Sequence, residues 1–97
     1  MEKILCNLGM CMRSGNIIIG ENLVVSALKE GKLCYVFLAS DTGPNTTKKI
    51  LDKSKFYEVE VNNEYDTLSL SQALGKENIK VIGIKKSGRG FLQILRK

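Results

Sequence analysis

Two short apolar runs constrain the fold of this chain more than any other feature. Residues 33–39 and residues 79–84 are rich in β-branched, aromatic and aliphatic side chains. Runs of this length and composition are typical of strands that are covered on both faces of a sheet. Segments with helical periodicity precede and follow them along the chain. The pattern therefore predicts central strands packed between layers of helices.

Helical periodicity and terminating residues define the first half of the chain. A first helix buries Ile4, Leu5, Leu8 and Met12 and ends near Arg13-Ser14-Gly15, and residues 16–19 form an extended run. Gly20-Glu21-Asn22 opens a second helix that ends before Gly31. The predicted buried stripe of that helix consists of Leu23, Val24, Ala27 and Leu28.

The second half continues the alternation. Asp41 or Thr42 is predicted to cap a third helix, and Asp66 or Thr67 a short fourth helix that is closed by Gly75. Alternating apolar and acidic residues at 57–61 predict an outer strand. Gly88-Arg89-Gly90 leads into a predicted last helix. We expect one α/β domain over residues 1–97, a three-layer α/β/α sandwich with a central sheet of about four strands.

Composition limits the classes of function. Cys6, Cys11 and Cys34 lie in apolar sequence and are predicted to be small core residues in a reducing compartment. The chain has no histidine and no CxxC pair, so we expect no metal, no cofactor and no catalysis. No apolar run approaches the ~20 residues of a membrane span, and the first residues lack the features of a secretory signal. We therefore expect no membrane partner and a cytoplasmic location.

The basic residues are unevenly distributed. The formal charge is +5, and residues 1–75 are almost neutral. Residues 76–97 carry seven basic side chains against Glu77 alone. Such a basic end is the expected electrostatic footprint of a phosphate-bearing partner, although a solvated lysine surface would give the same pattern.

Four motifs, in order and with their spacing, resemble the archaeal-type kink-turn-binding ribosomal protein family. The resemblance is greatest to its bacterial YlxQ-like and YbxF-like members. The first motif is Arg13-Ser14-Gly15 with Gly20-Glu21 five residues on, and the second is Lys29-Glu30-Gly31-Lys32 before the apolar strand and Ala39-Ser40-Asp41. The third runs from Asp41 to Ile50, with Asn45-Thr46-Thr47-Lys48-Lys49, and the fourth is Ala73-Leu74-Gly75-Lys76.

The resemblance implies a mixed four-stranded sheet and a role in binding kinked RNA helices. The expected partner is structured RNA (ribosomal or other kinked RNA), with the ribosome or other proteins as further partners and the chain as a monomer. The expected RNA-binding residues are Gly20, Glu21, Asn22 and Ser26 of the second helix, Lys76, Asn78 and Lys80 of the loop after Gly75, and Arg13 and Lys85 as phosphate partners.

Some of these residues also have purely structural interpretations. Gly20 is equally suited to an unusual backbone angle, and Asn22 to a hydrogen bond at a helix terminus. Lys48 and Lys49 are expected to be solvated, at the far end of another helix.

The alternative hypothesis is a protein-interaction module of the same fold. Where the family has glutamate and lysine in the second helix, this chain has Leu23 and Ser26. An exposed leucine there would suit a protein surface better than one lined by phosphates.

Overall fold

The computed structural model describes residues 3–86, with side chains from residue 4 onward. The predicted last helix after Gly88-Arg89-Gly90 lies outside the described residues. Helices and strands alternate along the described part. The elements are α1 (Lys3–Arg13), β1 (Ile17–Ile19), α2 (Glu21–Lys29), β2 (Leu33–Leu38), α3 (Pro44–Phe56), β3 (Glu60–Asn62), α4 (Thr67–Leu74) and β4 (Val81–Lys85).

The four strands form one mixed sheet in the order β1-β4-β2-β3. Strand β4 is antiparallel to both of its neighbours, with Ile18 opposite Gly83 and Val36 opposite Gly83. Strand β2 is parallel to β3, with Val36 opposite Val61. The two apolar runs thus occupy the centre and β3 lies at an edge, which confirms the prediction of a mixed sheet of four strands.

Helices cover both faces of this sheet and give the expected three layers. Helices α1 and α4 pack against each other on one face, where Leu8, Phe37 and Leu70 lie in the core. Helices α2 and α3 pack on the opposite face around a second core that includes Leu28 and Ile50. The predicted α/β/α sandwich is confirmed.

Two predictions about side-chain burial are wrong. Leu23 is 63% exposed, and Val25 takes its place in the buried stripe of α2. The helix is rotated so that positions 24, 25, 27 and 28 face the sheet, because a core-facing stripe at helical spacing has room for only one of the two positions. Cys6 is exposed on α1, whereas Cys11 and Cys34 are partly buried against the first core.

The ends of the helices show which local signals operate. Gly31, at a φ of 70°, follows the C-cap of α2, where the N–H of Lys32 donates to the oxygen of Ala27 in a Schellman arrangement. Asp66 caps α4 as predicted, by accepting from the N–H of Ser69 at 2.8 Å. The prediction that Asp41 or Thr42 caps α3 is wrong, because α3 begins at Pro44 after Gly43.

The outer strand is shorter than predicted. Tyr57 is the C-cap of α3, and Glu58 has a φ of 58°, so the chain turns there and β3 begins only at Glu60. The acidic alternation identified an edge strand correctly but extended it into a turn.

Candidate nucleic-acid interface

Four segments meet at one end of the sheet, which we call the Gly20 end: residues 20–22, 40–42, 65–67 and 76–80. The N–H of Gly20 donates to the oxygen of Val81 at 3.0 Å, so the start of α2 lies beside the start of β4. The N–H of Ala39 donates to the oxygen of Lys80 at 2.8 Å, and that of Ser40 to the oxygen of Tyr65 at 2.9 Å. The second helix and the lysine-bearing loop, predicted separately, therefore form one surface.

The start of α2 depends on a glycine. Gly20 has φ 107° and ψ 146°, a region of backbone conformation essentially restricted to glycine. It precedes the first helical residue and provides no side-chain hydrogen bond to the helix. The first N–H groups of a helix have no intrahelical acceptors, and the helix dipole adds positive potential there. This terminus is therefore suited to contact an anion.

Glu21 connects the start of α2 to the start of α3. Its Oε1 accepts from the hydroxyl of Thr46 at 2.7 Å, and its Oε2 lies 3.1 Å from Nζ of Lys49. The hydrogen bond from Thr46, followed by the interaction with Lys49, holds the pKa of the Glu21 carboxyl below its usual value. The expectation that Lys49 lies at the far end of another helix is wrong, because α3 starts beside α2.

The outer face of α2 presents four side chains to solvent, those of Asn22, Leu23, Ser26 and Lys29. Asn22 and Ser26 are exposed and lie four residues apart, which places them on one face, with exposed Leu23 beside them. This face is polar except for the leucine. It offers an amide and a hydroxyl, groups that both donate and accept hydrogen bonds.

A hydrogen-bonded network fixes one lysine of the loop. Oδ1 of Asp41 accepts from the N–H of Thr67 at 2.9 Å and from its hydroxyl at 2.7 Å. Lys80 in turn donates from Nζ to Oγ1 of Thr67 at 3.0 Å. The hydrogen bonds from Thr67 are the main cause of the lowered pKa of the Asp41 carboxyl. Asp41 thus orients the start of α4 and, through it, Lys80.

A shallow groove of about 370 Å³ runs along α4 beside the same loop. The residues that line it are Thr67, Leu68, Ser71, Gln72, Lys76, Glu77 and Asn78. Leu68 is 64% exposed there, so an apolar surface adjoins a loop that is polar in sequence. Asn78 has a φ of 54°, a left-handed conformation that asparagine tolerates better than most residues.

Arg13 and Lys85 lie at the opposite end of the sheet. The N–H of Lys85 donates to the oxygen of Asn16, next to the end of α1. Lys80 is five residues away along an extended segment, a separation of about 16 Å. The structure therefore brings six of the nine expected residues to the Gly20 end, with Ser26 about one turn further along α2, and leaves these two apart.

Sequence reasoning missed the roles of Thr46, Lys49, Thr67 and Leu68. The contacts between Thr46 and Glu21 and between Thr67 and Asp41 join residues 25 and 26 positions apart. Nothing in the local pattern marks such pairs. The one available signal was the amphipathic spacing of α4, which leaves Leu68 off the buried stripe of Leu70 and Leu74.

Two other kinds of site are absent from residues 3–86. Among residues 3–86, no helix is long and apolar enough to cross a membrane. Within that same part of the chain, no three His, Cys, Asp or Glu side chains are grouped so that they could hold a metal ion.

The fold and the Gly20 end define a small α/β sandwich with a helix terminus and a lysine-bearing loop on one surface. The chain belongs to the ribosomal protein L7Ae/L30e/S12e/Gadd45 family, whose model matches residues 2–93. This confirms the family resemblance found in the motifs.

Relatives and solved structures agree with this assignment. The chain is 37% identical over 87 residues to the RNA-binding protein YlxQ of Enterococcus faecium, covering 90% of this chain and 84% of that one. It is 30% identical over 81 residues to the RNA-binding protein YlxQ of Bacillus subtilis strain 168, covering 84% and 81%. Neither relative is named as an enzyme.

Two solved structures share the fold. A protein of unknown function from Bacillus halodurans C superposes with a TM-score of 0.90 at 34% identity, over the whole of both chains. The 15.5kD RNA binding protein of Giardia lamblia superposes with a TM-score of 0.83 at 16% identity, covering 98% of this chain and 86% of that one.

Proposed function

We propose that this chain binds structured RNA through the Gly20 end, with the start of α2 entering a groove that a kink opens. The observation that carries the proposal is the hydrogen bond of Gly20 to Val81, which places an uncapped helix terminus beside the loop of Lys76 and Lys80. Regular A-form RNA has a deep, narrow major groove that side chains cannot read. A kinked helix removes that obstacle, and the terminus can then face phosphates.

The side chains divide into groups that read bases, hold phosphates or position the helix. Asn22 and Ser26 are exposed on one face and are suited to base edges. Lys76 and Lys80 supply positive charge for phosphates, and the contact with Thr67 orients Lys80. Glu21 acts by fixing α2 against α3 through Thr46 and Lys49, since its carboxylate is already engaged there.

The remaining expected residues extend the surface. Leu68 and Asn78 border the groove along α4, where an unstacked base would find an apolar side chain and an amide. Arg13 and Lys85 would contact a different stretch of RNA backbone, because they lie about 16 Å from Lys80.

Family and relatives support the wider setting of the proposal. Both YlxQ relatives are named as RNA-binding proteins, and the family is one of ribosomal proteins. We therefore propose ribosomal RNA, or another kinked RNA, as the ligand of a monomeric, cytoplasmic, non-catalytic protein of translation that acts within a ribonucleoprotein.

A protein-interaction module is the second candidate, and the exposure of Leu23 favours it. The side chain is 63% exposed on the turn that would enter the RNA, where an apolar group gains nothing from phosphates. In this reading the same end would bind a protein partner and have little affinity for RNA.

Titration against a kinked hairpin and a straight duplex of equal length separates the two candidates. We expect the kinked RNA to bind at least several-fold tighter, and log K to fall with log salt at a slope of roughly −2 to −5. Asn22→Ala should weaken binding of the kinked RNA and leave the straight duplex nearly unchanged. Equal affinity of the parent for both RNAs would refute helix insertion, and no binding at low salt would favour the protein-interaction module.

A further inference from the structure

The end of α3 carries an aromatic ring that the proposed RNA site does not use. Phe56 is 77% exposed, the highest value among the large hydrophobic side chains of residues 4–86. Its ring contacts that of Tyr57 edge to face, with centroids 4.8 Å apart and planes at 81°. The neighbouring ring restricts Phe56 without covering it, so the ring is oriented and still accessible.

Phe56 lies at one end of a groove of about 530 Å³ that follows one face of α3. The residues that line this groove, at helical spacing, are Lys49, Asp52, Lys53, Phe56 and Tyr57. Two lysines, Lys49 and Lys53, lie in this groove with the carboxylate of Asp52, and Lys49 is also paired with Glu21. Lys48 and Lys55 are exposed on the same helix outside the groove. Lysines around an exposed aromatic ring are the combination that binds single-stranded nucleic acid, with phosphates on the cations and a base on the ring.

We propose that this face of α3, the Phe56 groove, binds a single-stranded segment of RNA and stacks one unpaired base on Phe56. Lys53, which lines the groove beside Phe56, contacts an adjacent phosphate. Asp52 accepts a hydrogen bond from an exocyclic amine of the base, as carboxylates do with cytosine.

The carboxylate of Asp52 favours RNA over an acidic peptide as the ligand of the Phe56 groove. Both ligands would be attracted by the lysines. The carboxylate of Asp52 repels the acidic side chains of a peptide placed in the groove, whereas a base brings amine donors to the same position and keeps its charge on the backbone.

The Phe56 groove is continuous with the Gly20 end. Lys49 lines the groove and also forms the ion pair with Glu21 at the start of α2. Phe56 follows Lys49 by seven residues, about 10 Å along the helix axis. An RNA held at α2 can therefore pass its flanking single strand along α3. The inference rests on the proposed function for the identity of the ligand as RNA.

A tryptophan in place of Phe56 provides a direct reporter, because the chain contains no tryptophan. Three RNAs are compared: a kinked hairpin, the same hairpin with a six-nucleotide single-stranded extension, and the extension alone. In Phe56→Trp the fluorescence should be quenched by the RNAs that carry the single strand and not by the bare hairpin. Met10→Trp is the matched control, since Met10 is 62% exposed on α1, across the sheet from α3, and its fluorescence should not respond.

Binding of the parent measures the gain from stacking. The extension should tighten binding by roughly 5- to 150-fold, the effect of one well-stacked base. Phe56→Ala and Phe56→Leu should both remove most of this gain, since only the contacts to Lys53 and Asp52 would be left, and should leave affinity for the bare hairpin within twofold. Retention of the gain in Phe56→Leu would show an apolar contact without stacking and would overturn the proposal.

The remaining outcomes separate this inference from the proposed function. If the extension alone quenched the fluorescence and the bare hairpin did not bind, the result would support RNA binding in the Phe56 groove and refute the proposed site at α2. If the hairpin bound but the extension neither raised the affinity nor quenched the fluorescence of Phe56→Trp, the result would refute RNA binding in the Phe56 groove and support the site at α2.

Discussion

Replacing Ser26 by lysine tests whether α2 is where a kink is read. Ser26 is exposed four residues after Asn22, so its Cα lies about 6 Å further along the helix axis on the same face. A lysine there would point into the groove that Asn22 enters and reach a phosphate or a base edge. One charge-assisted contact of this kind contributes about 1–3 kcal/mol, a roughly 5- to 150-fold gain in affinity.

The local surroundings reduce this gain only slightly. Glu30 lies four residues after Ser26 and is within 3.2 Å of Lys32, so a new lysine would compete for a carboxylate that already has a partner. An exposed pair with lysine first in the i, i+4 arrangement contributes only about 0.2–0.5 kcal/mol. Competition with Glu30 makes the largest gains in affinity of the roughly 5- to 150-fold range unattainable. We therefore expect a gain of about tenfold for kinked RNA.

The assay is a titration of the parent and of Ser26→Lys against the kinked hairpin and the straight duplex. Met10→Lys is the matched control, since it adds the same charge at an exposed site on the other face of the sheet. Met10→Lys should raise affinity for both RNAs equally and by less than Ser26→Lys raises affinity for the kinked one. If Ser26→Lys raised the affinity for both RNAs to the same extent, its effect would be one of added charge alone. The proposal that α2 reads the kink would then be refuted.

Two further predictions concern stability. Because the folded-state pKa of Glu21 is lowered, its stabilising effect is present above the ordinary value of 4.5 and is lost as the pH falls through the folded pKa. The difference in free energy of unfolding between the parent and Glu21→Gln, from urea titrations at pH 3 to 7, should therefore shrink at the acid end; a constant difference would contradict this. Gly83→Ala should destabilise by about 1–3 kcal/mol in the same titrations, since the added Cβ would lie 2.6 Å from Cδ1 of buried Leu33, and combination with Leu33→Val should recover part of the loss. Strictly additive effects would show that the two side chains do not meet.

Much of the fold was predictable because its signals are local. The apolar runs identified the central strands, and the glycines and Asp66 marked the helix ends, since periodicity and capping act within a few residues. The error in α2 arose where the local pattern left two positions equally suited to burial. Leu23 and Val25 are equally apolar, and only the packing of α2 on the sheet decides which of them is buried.

Local patterns in the sequence were enough to predict the order and type of the elements, the family motifs and the lysine-bearing loop after Gly75. Which of these segments come into contact depends on the tertiary structure. The strand order β1-β4-β2-β3 brings Gly20 to Val81 and leaves Lys85 at the other end. The packing of α2 beside α3 pairs Glu21 with Lys49. Such contacts join positions tens of residues apart, so no local pattern encodes them, and they arise only when the sheet aligns its strands and the helices pack on it.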